Sequence, residues 1–418
     1  MNIVIVGGGI AGLSLAIGLH QRGIRASVYE SAPEVKELGV GITLLPHATR
    51  EFAALGVLDR LREVAIENEV SVFFNRWGQF IYQEPRGKYA GYATPELGIH
   101  RGKLHRILYE AALERLGPDR IFTDHHCAGV QQDEQGATAI FSRSSSGEPL
   151  PGARGDIVVA CDGVNSAIRR QFYPDEKLAF AGINTWRGVT RRAPILGGRT
   201  YMRVGSIETG KIVIYPIVDN ADNDGSGRQL INWMAEIRQQ NLDMNDWNKR
   251  GKLEDFFDIY KDYRFEWLDV ADMISKADQI LEYPMVDKDP VPRWTFGRVT
   301  LMGDAAHPMY PRGSNGAAQA AVDARTLAEL LAQAQASGED PQAALMQYEK
   351  VRLEPTAKVV RTNREFPPDY INIKVDELTG GKPFGHIDEV ISQEELKKIS
   401  ENYKRIAGFS LDTKKSPA

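Results

Sequence analysis

The sequence predicts an α/β protein, α+β overall, in which a parallel, helix-covered sheet carries an inserted, mostly antiparallel one. Three observations lead there. A β-branched run over residues 2–6 passes directly into Gly7-Gly8-Gly9-Ile10-Ala11-Gly12 and then a helical pattern. Two further apolar strands end in short acidic turns, "VVACDG" (158–163) and "VTLMGD" (299–304). Residues 70–90 and 183–290 are richer in β-branched and aromatic residues, with turns such as "DNADNDGSG" (219–227) and alternation in "GKIVIYPI" (210–217).

The first element is a buried parallel strand, because it is apolar throughout and bounded by glycine. The glycine turn opens a helix over about 10–22 that stops at Gly23, and residues 25–29, "RASVY", form the next strand. Gly7 permits the tight turn, Gly9 lets the backbone approach a pyrophosphate, and Gly12 lets helix and strand pack closely. Ile10 and Ala11 lie in the helix N-terminus that receives the phosphates. Glu30 lies 18 residues past Gly12, placed to accept ribose hydroxyls. This is a Rossmann-like dinucleotide site, and its acid suits an unphosphorylated ribose, as in FAD or NAD.

Bulk properties exclude several classes. The 418 residues are 42% hydrophobic and 26% charged, so a large core is expected and general disorder is not. A formal charge of −5 without a basic block argues against a nucleic-acid partner. No apolar run of about 18 residues occurs, so no membrane span is expected. Cys127 and Cys161 form neither a disulfide framework nor a zinc site and fit buried thiols in a reducing cytoplasm. His125 and His126 lack a third ligand candidate, so no metal is expected.

Read alone, Asp162-Gly163 and Gly303-Asp304 are equally strand-ending turns. Together with the glycine turn, in this order and spacing, they resemble the single-component flavoprotein aromatic monooxygenases of the para-hydroxybenzoate hydroxylase group. The resemblance covers roughly residues 1–365. The runs "RGVT", "YPMVDKDPVPRW", "GDAAHPMYP" and "NGAAQA" are most similar to the 5-methylphenazine-1-carboxylate monooxygenase type, with salicylate hydroxylases more distant. The resemblance implies non-covalent FAD, with NADH or NADPH as a transient co-substrate. O2 then hydroxylates an aromatic or heteroaromatic, carboxylated or phenolic substrate through a flavin C4a-hydroperoxide, with decarboxylation open. The alternatives are an FAD dehydrogenase or oxidase without oxygen transfer, or a non-catalytic dinucleotide-binding scaffold.

Residue roles follow from the resemblance. The ADP half of FAD lies on the glycine turn and Glu30. Asp162 touches FAD and passing NAD(P)H, Asp304 holds the ribityl chain, and Arg101 approaches the phosphates. Pro311 and Gly313 shape the loop beside the isoalloxazine, and backbone N–H groups at Asn315 and Gly316 meet its pyrimidine edge. Arg312 and His47 depart from the family's pattern; Arg312 either holds a substrate carboxylate or is a solvated arginine. His47 is either a base for a phenol or a helix-start histidine. His307 bonds locally. Trp186, Tyr215, Trp233 and Tyr283 either wall a flat-ring pocket or belong to the core.

The expected organisation is a discontinuous FAD-binding domain (1–70, 98–182 and 291–364), a substrate-binding sheet domain (71–97 and 183–290) and a tail (365–418). Helices are expected over 323–335 and 342–353, and one charged helix near 392–406. The tail packs on the core, mediates an oligomer contact or covers the site.

Overall fold

The computed structural model describes residues 1–36, 39–239 and 250–411. Its central sheet has six strands in the order Thr295–Phe296, Val299–Leu301, Ile157–Ala160, Asn2–Val6, Arg25–Tyr29, Ile121–Phe122. All pairs are parallel except the outermost, Thr295–Phe296 on Val299–Leu301. The registers Ile3↔Ile157 and Val158↔Val299 bring strands from distant parts of the chain side by side. Ile3, Ile5, Ile157, Val158 and Val299 are fully buried, as expected when both faces of a sheet are covered.

The helices Ile10–His20, Arg101–Leu116 and Gly316–Ser337 pack together beside this sheet. A three-stranded antiparallel sheet, His125–Gln132, Ala137–Arg143 and Pro149–Gly155, adjoins it. Its Phe141 stacks on Tyr29, with ring centroids 4.7 Å apart.

The second large sheet has seven strands, in the order Gln279–Asp287, Ala179–Arg192, Gln229–Arg238, Lys211–Val218, Thr200–Val204, Val70–Phe74, Phe80–Pro85. Only Thr200–Val204 on Val70–Phe74 is parallel. The alternation of residues 210–217 does not separate a dry face from a wet one: Lys211–Ile217 are all buried. Ile212 and Ile214 face a cluster with Trp186, Trp233, Phe256 and Met273, whereas Val213, Tyr215 and Ile217 join Tyr201 and Met234 on the other side. Both faces are dry because short helices, Phe257–Tyr260 and Val270–Ser275, cover one and the nucleotide side covers the other.

The carboxy-terminal part is more ordered than its composition indicates. The helix expected over 342–353 runs from Pro341 to Glu365, straight through Pro355. Helix Tyr370–Thr379 follows, then Gln393–Ile406, which a Ser392–Glu395 capping box starts. Ile371, Val375 and Leu396 pack on Phe73, Ile81 and Tyr82, so this segment closes over the edge of the seven-stranded sheet. No helix among the described residues is long and apolar enough to cross a membrane.

Candidate active site

The glycine turn has the geometry a pyrophosphate requires. Gly7 has φ +106°, and a Cβ there would overlap the Cys161 carbonyl oxygen. A Cβ on Gly12 would overlap the Gly7 carbonyl oxygen. At Gly9, by contrast, a Cβ would meet nothing within 4 Å. Gly9, Ile10 and Ala11 open onto a cavity of about 470 Å³. Glu30 is fixed beside the turn, accepting the N–H of Gly8 and of Ala32, each at 2.7 Å.

The cavity runs on past Gly39–Thr43, Arg101, Cys161, Gly163 and Val164 to Asp304 and the turn around residue 311. Arg101 is the first residue of its helix and faces this space. Asp304 is exposed to it, with no hydrogen-bond or ion-pair partner among the described residues, so its carboxylate is available to hydroxyl donors. Asp162 turns inward instead: one oxygen accepts the Ala167 N–H at 2.9 Å and the other is buried without a partner. Burial raises its pKa against the lowering effect of those hydrogen bonds. The backbone beside it, rather than its carboxylate, walls the cavity.

Two buried networks hold the acidic turns in place. Arg169, fully buried, donates to the carbonyls of Ala305 (3.0 Å) and Ala306 (2.7 Å) and pairs with Glu176. His307 Nε2 lies 2.5 Å from Asp323, which also accepts from Arg352 at 2.7 Å. Burial raises the Asp323 pKa, but His307 and Arg352 outweigh it and hold the carboxyl below its usual range.

Beyond Asp304, Pro308, Met309, Pro311, Ser314, Gly316 and Ala317 line the cavity at the start of the Gly316–Ser337 helix. Ser314 takes φ +55°, in the left-handed region. Two expectations, at Gly313 and Arg312, need correction here. Gly313 faces away: a Cβ would overlap the Tyr403 hydroxyl. The Asn315 side chain also points to the carboxy-terminal helix, donating to Tyr403 (2.7 Å) and to the Gly313 carbonyl (3.0 Å), so only its backbone remains for a ligand. Arg312 is neither a substrate clamp nor solvated. It is buried and donates to Asp369 at 2.7 Å, since a desolvated guanidinium takes the nearest carboxylate.

Of the two readings of His47, the helix-start histidine is the one found, and the catalytic base is corrected. It is the second residue of helix Pro46–Ala54, is 4% exposed, and stacks on Phe409 at 4.9 Å. It does not line the cavity. Burial first, and Arg50 second, lower its pKa to about 3, so the ring stays neutral.

The far wall is the seven-stranded sheet. Thr185, Arg187, Tyr201, Tyr215, Met234 and Tyr283 line the cavity. Tyr201 and Tyr215 stack at 5.0 Å, and burial raises the Tyr215 pKa, keeping the phenol protonated. Trp186 and Trp233 are core, not pocket. Side chains alternate along a strand, so when Arg187 and Met234 face the cavity their neighbours face the opposite side. There Trp186 stacks on Phe256 at 5.1 Å, and Trp233 donates to Thr190 at 3.1 Å. Arg187 and Met234 escape a reading that searches for aromatics, and the alternation of faces next to Trp186 and Trp233 is the signal that finds them; Tyr201, though aromatic, lies outside the strands that reading singled out.

A model of the FAD binding domain matches residues 1–196 and 271–363. The phenazine 1,6-dicarboxylic acid hydroxylase of Lysobacter antibioticus is 38% identical over 87% of this chain and 89% of its own. The 3-hydroxybenzoate 6-hydroxylase of Polaromonas naphthalenivorans is 28% identical over 90% of each. The crystal structure of Klebsiella pneumoniae HpxO with FAD and uric acid superposes with a TM-score of 0.75 at 23% identity, covering 98% of this chain and 96% of that one. Glycine turn, free Asp304 carboxylate and cavity agree with these matches: the chain belongs to the FAD binding domain family, as an FAD-dependent aromatic monooxygenase.

Proposed function

We propose that FAD lies extended along the cavity, its ADP half on Gly7–Gly12 and Glu30, its phosphates and ribityl chain near Arg101 and Asp304. Pro311, Ser314 and Gly316, which line the cavity, would hold the isoalloxazine, with the backbone N–H groups of Asn315 and Gly316 as donors to it. The positive end of the Gly316–Ser337 helix favours negative charge on the ring's pyrimidine edge by about 0.3–1 kcal/mol. When bound, FAD accepts a hydride from NADH or NADPH and activates O2 for transfer to the substrate.

The chain's own residues orient an aromatic or heteroaromatic substrate and exclude water. The Tyr201–Tyr215 stack, Tyr283 and Met234 offer flat apolar surface on which a ring can lie. Tyr215, kept protonated by burial, can donate to a substrate oxygen. Among the described lining residues Asp304 has the only carboxylate, and none is histidine. Relatives are named for aromatic acids: phenazine 1,6-dicarboxylic acid, 3-hydroxybenzoate and 6-hydroxynicotinate. The observation that carries this reading is the single cavity joining Gly9 to Tyr215 past Asp304.

The test is oxygen incorporation. Holoenzyme, NADH or NADPH, ¹⁸O2 and a panel of aromatic acids and phenols should give a hydroxylated product with one ¹⁸O atom. Reductant consumption with no labelled aromatic product would favour an oxidase.

A further inference from the structure

One peptide group in the cavity wall is held from both sides. Gly41 opens the strand Gly41–Leu44, which pairs antiparallel with Leu97–His100. The Val40 carbonyl accepts the N–H of Arg101 at 3.0 Å, and the Gly41 N–H donates to Asn232 Oδ1 at 2.7 Å. In a planar trans peptide these two groups point opposite ways, so the partners fix it between them. Arg101 belongs to the nucleotide side and Asn232 to strand Gln229–Arg238 of the seven-stranded sheet.

Asn232 pairs with Tyr215 and lies two residues from Met234, so it shares their face. It is 2% exposed, between Ile231 and Trp233. A buried amide in so apolar a strand is costly unless bonded, and Gly41 supplies the bond. The contact is also close: a Cβ on Gly41 would lie 2.7 Å from the Asn232 side chain. One strand over, a Cβ on Gly98, in register with Thr43, would lie 2.4 Å from the Pro216 carbonyl oxygen. The small sheet is therefore pressed onto the large one at two glycines. Residues 39–43 line the cavity between Arg101 and the tyrosine stack, so this bond sets how far apart those two ends stand.

We propose that Asn232 is a positioning residue, which fixes the Val40–Gly41 peptide against Arg101 and so sets the spacing between the flavin and substrate walls. Oxygen transfer is sensitive to that spacing, since a 1 Å misplacement costs about 10²-fold. With the spacing lost, NAD(P)H, O2 and a proton give NAD(P)⁺ and hydrogen peroxide, and no oxygen enters the ring. The inference rests on the proposed monooxygenase reading and adds the residue that registers the two halves of its site.

The test measures the share of reductant lost as hydrogen peroxide by the holoenzyme, with a substrate identified by ¹⁸O incorporation. Asn232→Leu keeps the size and removes the acceptor; the share should rise at least threefold with FAD retained. Asn232→Asp keeps an acceptor at the same place and should return the share to within twofold of the unmodified enzyme. Gly41→Ala, which drives the strand off Asn232, should raise it as well. A merely structural bond would lower Tm in Asn232→Leu and leave the share unchanged, which overturns the inference, as does failure of Asn232→Asp to restore coupling. Hydrogen exchange of the unmodified holoenzyme needs no variant: the Gly41 amide should exchange at least tenfold more slowly than in the unfolded chain, and equal rates would overturn the inference. Labelled product from the unmodified enzyme together with full coupling in Asn232→Leu refutes only the role of Asn232. Absence of labelled product with any substrate refutes the monooxygenase reading and this inference with it.

Discussion

Arg312 donates to Asp369 at 2.7 Å, and Lys211 Nζ lies 3.3 Å from the same carboxylate. The turn beside the flavin site, the carboxy-terminal segment and the seven-stranded sheet therefore meet at one buried charge cluster. Burial raises the Asp369 pKa, but Arg312 and then Lys211 overrule it and hold the carboxyl well below the usual carboxylate range. Its folded pKa is thus below the unfolded value of about 3.9. The stability it contributes is complete above that pH and lost as pH falls further. Arg312→Met should cost about 3–5 kcal/mol of stability, because it leaves a buried charge underpaired. It should not alter discrimination between an aromatic acid and its amide. Thermal melts and the ratio of kcat/KM values check the two halves.

Gly9 and Gly12 should separate binding from folding. Gly12→Ala forces a Cβ into backbone, so soluble yield and Tm should collapse. Gly9→Ala has room in the protein alone and should fold, yet bind FAD at least tenfold more weakly. Circular dichroism with flavin titration distinguishes them.

Asp304→Ala should leave Tm of the FAD-free protein nearly unchanged, since the carboxylate has no described protein partner. FAD affinity should fall by about 1.5–3 kcal/mol, the range for a lost hydrogen bond to a charged group. Retention of FAD through gel filtration, read as the 450/280 nm absorbance ratio, measures this.

Tyr403 receives a hydrogen bond from Asn315 and donates one to Asn363, both at 2.7 Å. It touches no part of the cavity and acts by positioning the turn. Tyr403→Phe should keep FAD and raise the share of reductant lost as hydrogen peroxide. A purely structural role would lower Tm without changing that share.

His47 tests whether a buried histidine has been mistaken for a base. Its folded pKa, about 3, is below the unfolded value of about 6.5. The unfolded chain therefore takes up the proton first, and stability falls as pH drops from 6.5 toward 3. His47→Gln should flatten that slope in denaturant titrations. Any kcat/KM pKa between 5 and 8 should persist in the variant.

The glycine turn and Glu30 were legible because each depends on local backbone geometry, whereas the two acidic strand ends read alone only as turns and took their roles from the family resemblance. The pocket wall was not legible. Period-two spacing says that Trp186 and Trp233 share no face with Arg187 and Met234, but both faces are buried, so burial alone cannot say which one meets the ligand. Arg312 and His47 were undecidable for a different reason: their partners, Asp369 and Phe409, belong to a segment whose packing depends on contacts far along the chain. The helix through Pro355 shows tertiary packing overriding a local breaker.

The central sheet places Asn2–Val6 against Ile157–Ala160, and that strand against Val299–Leu301. During translation the apolar first strand meets its Arg25–Tyr29 neighbour early, but the strands beyond its other side are made much later. At 5–20 residues per second, the third strand leaves the ribosome roughly 15–60 s after the first. Cofactor capture can begin only then, so yield of yellow protein should depend on chaperone supply and growth temperature more steeply than the melting point of the finished enzyme would indicate.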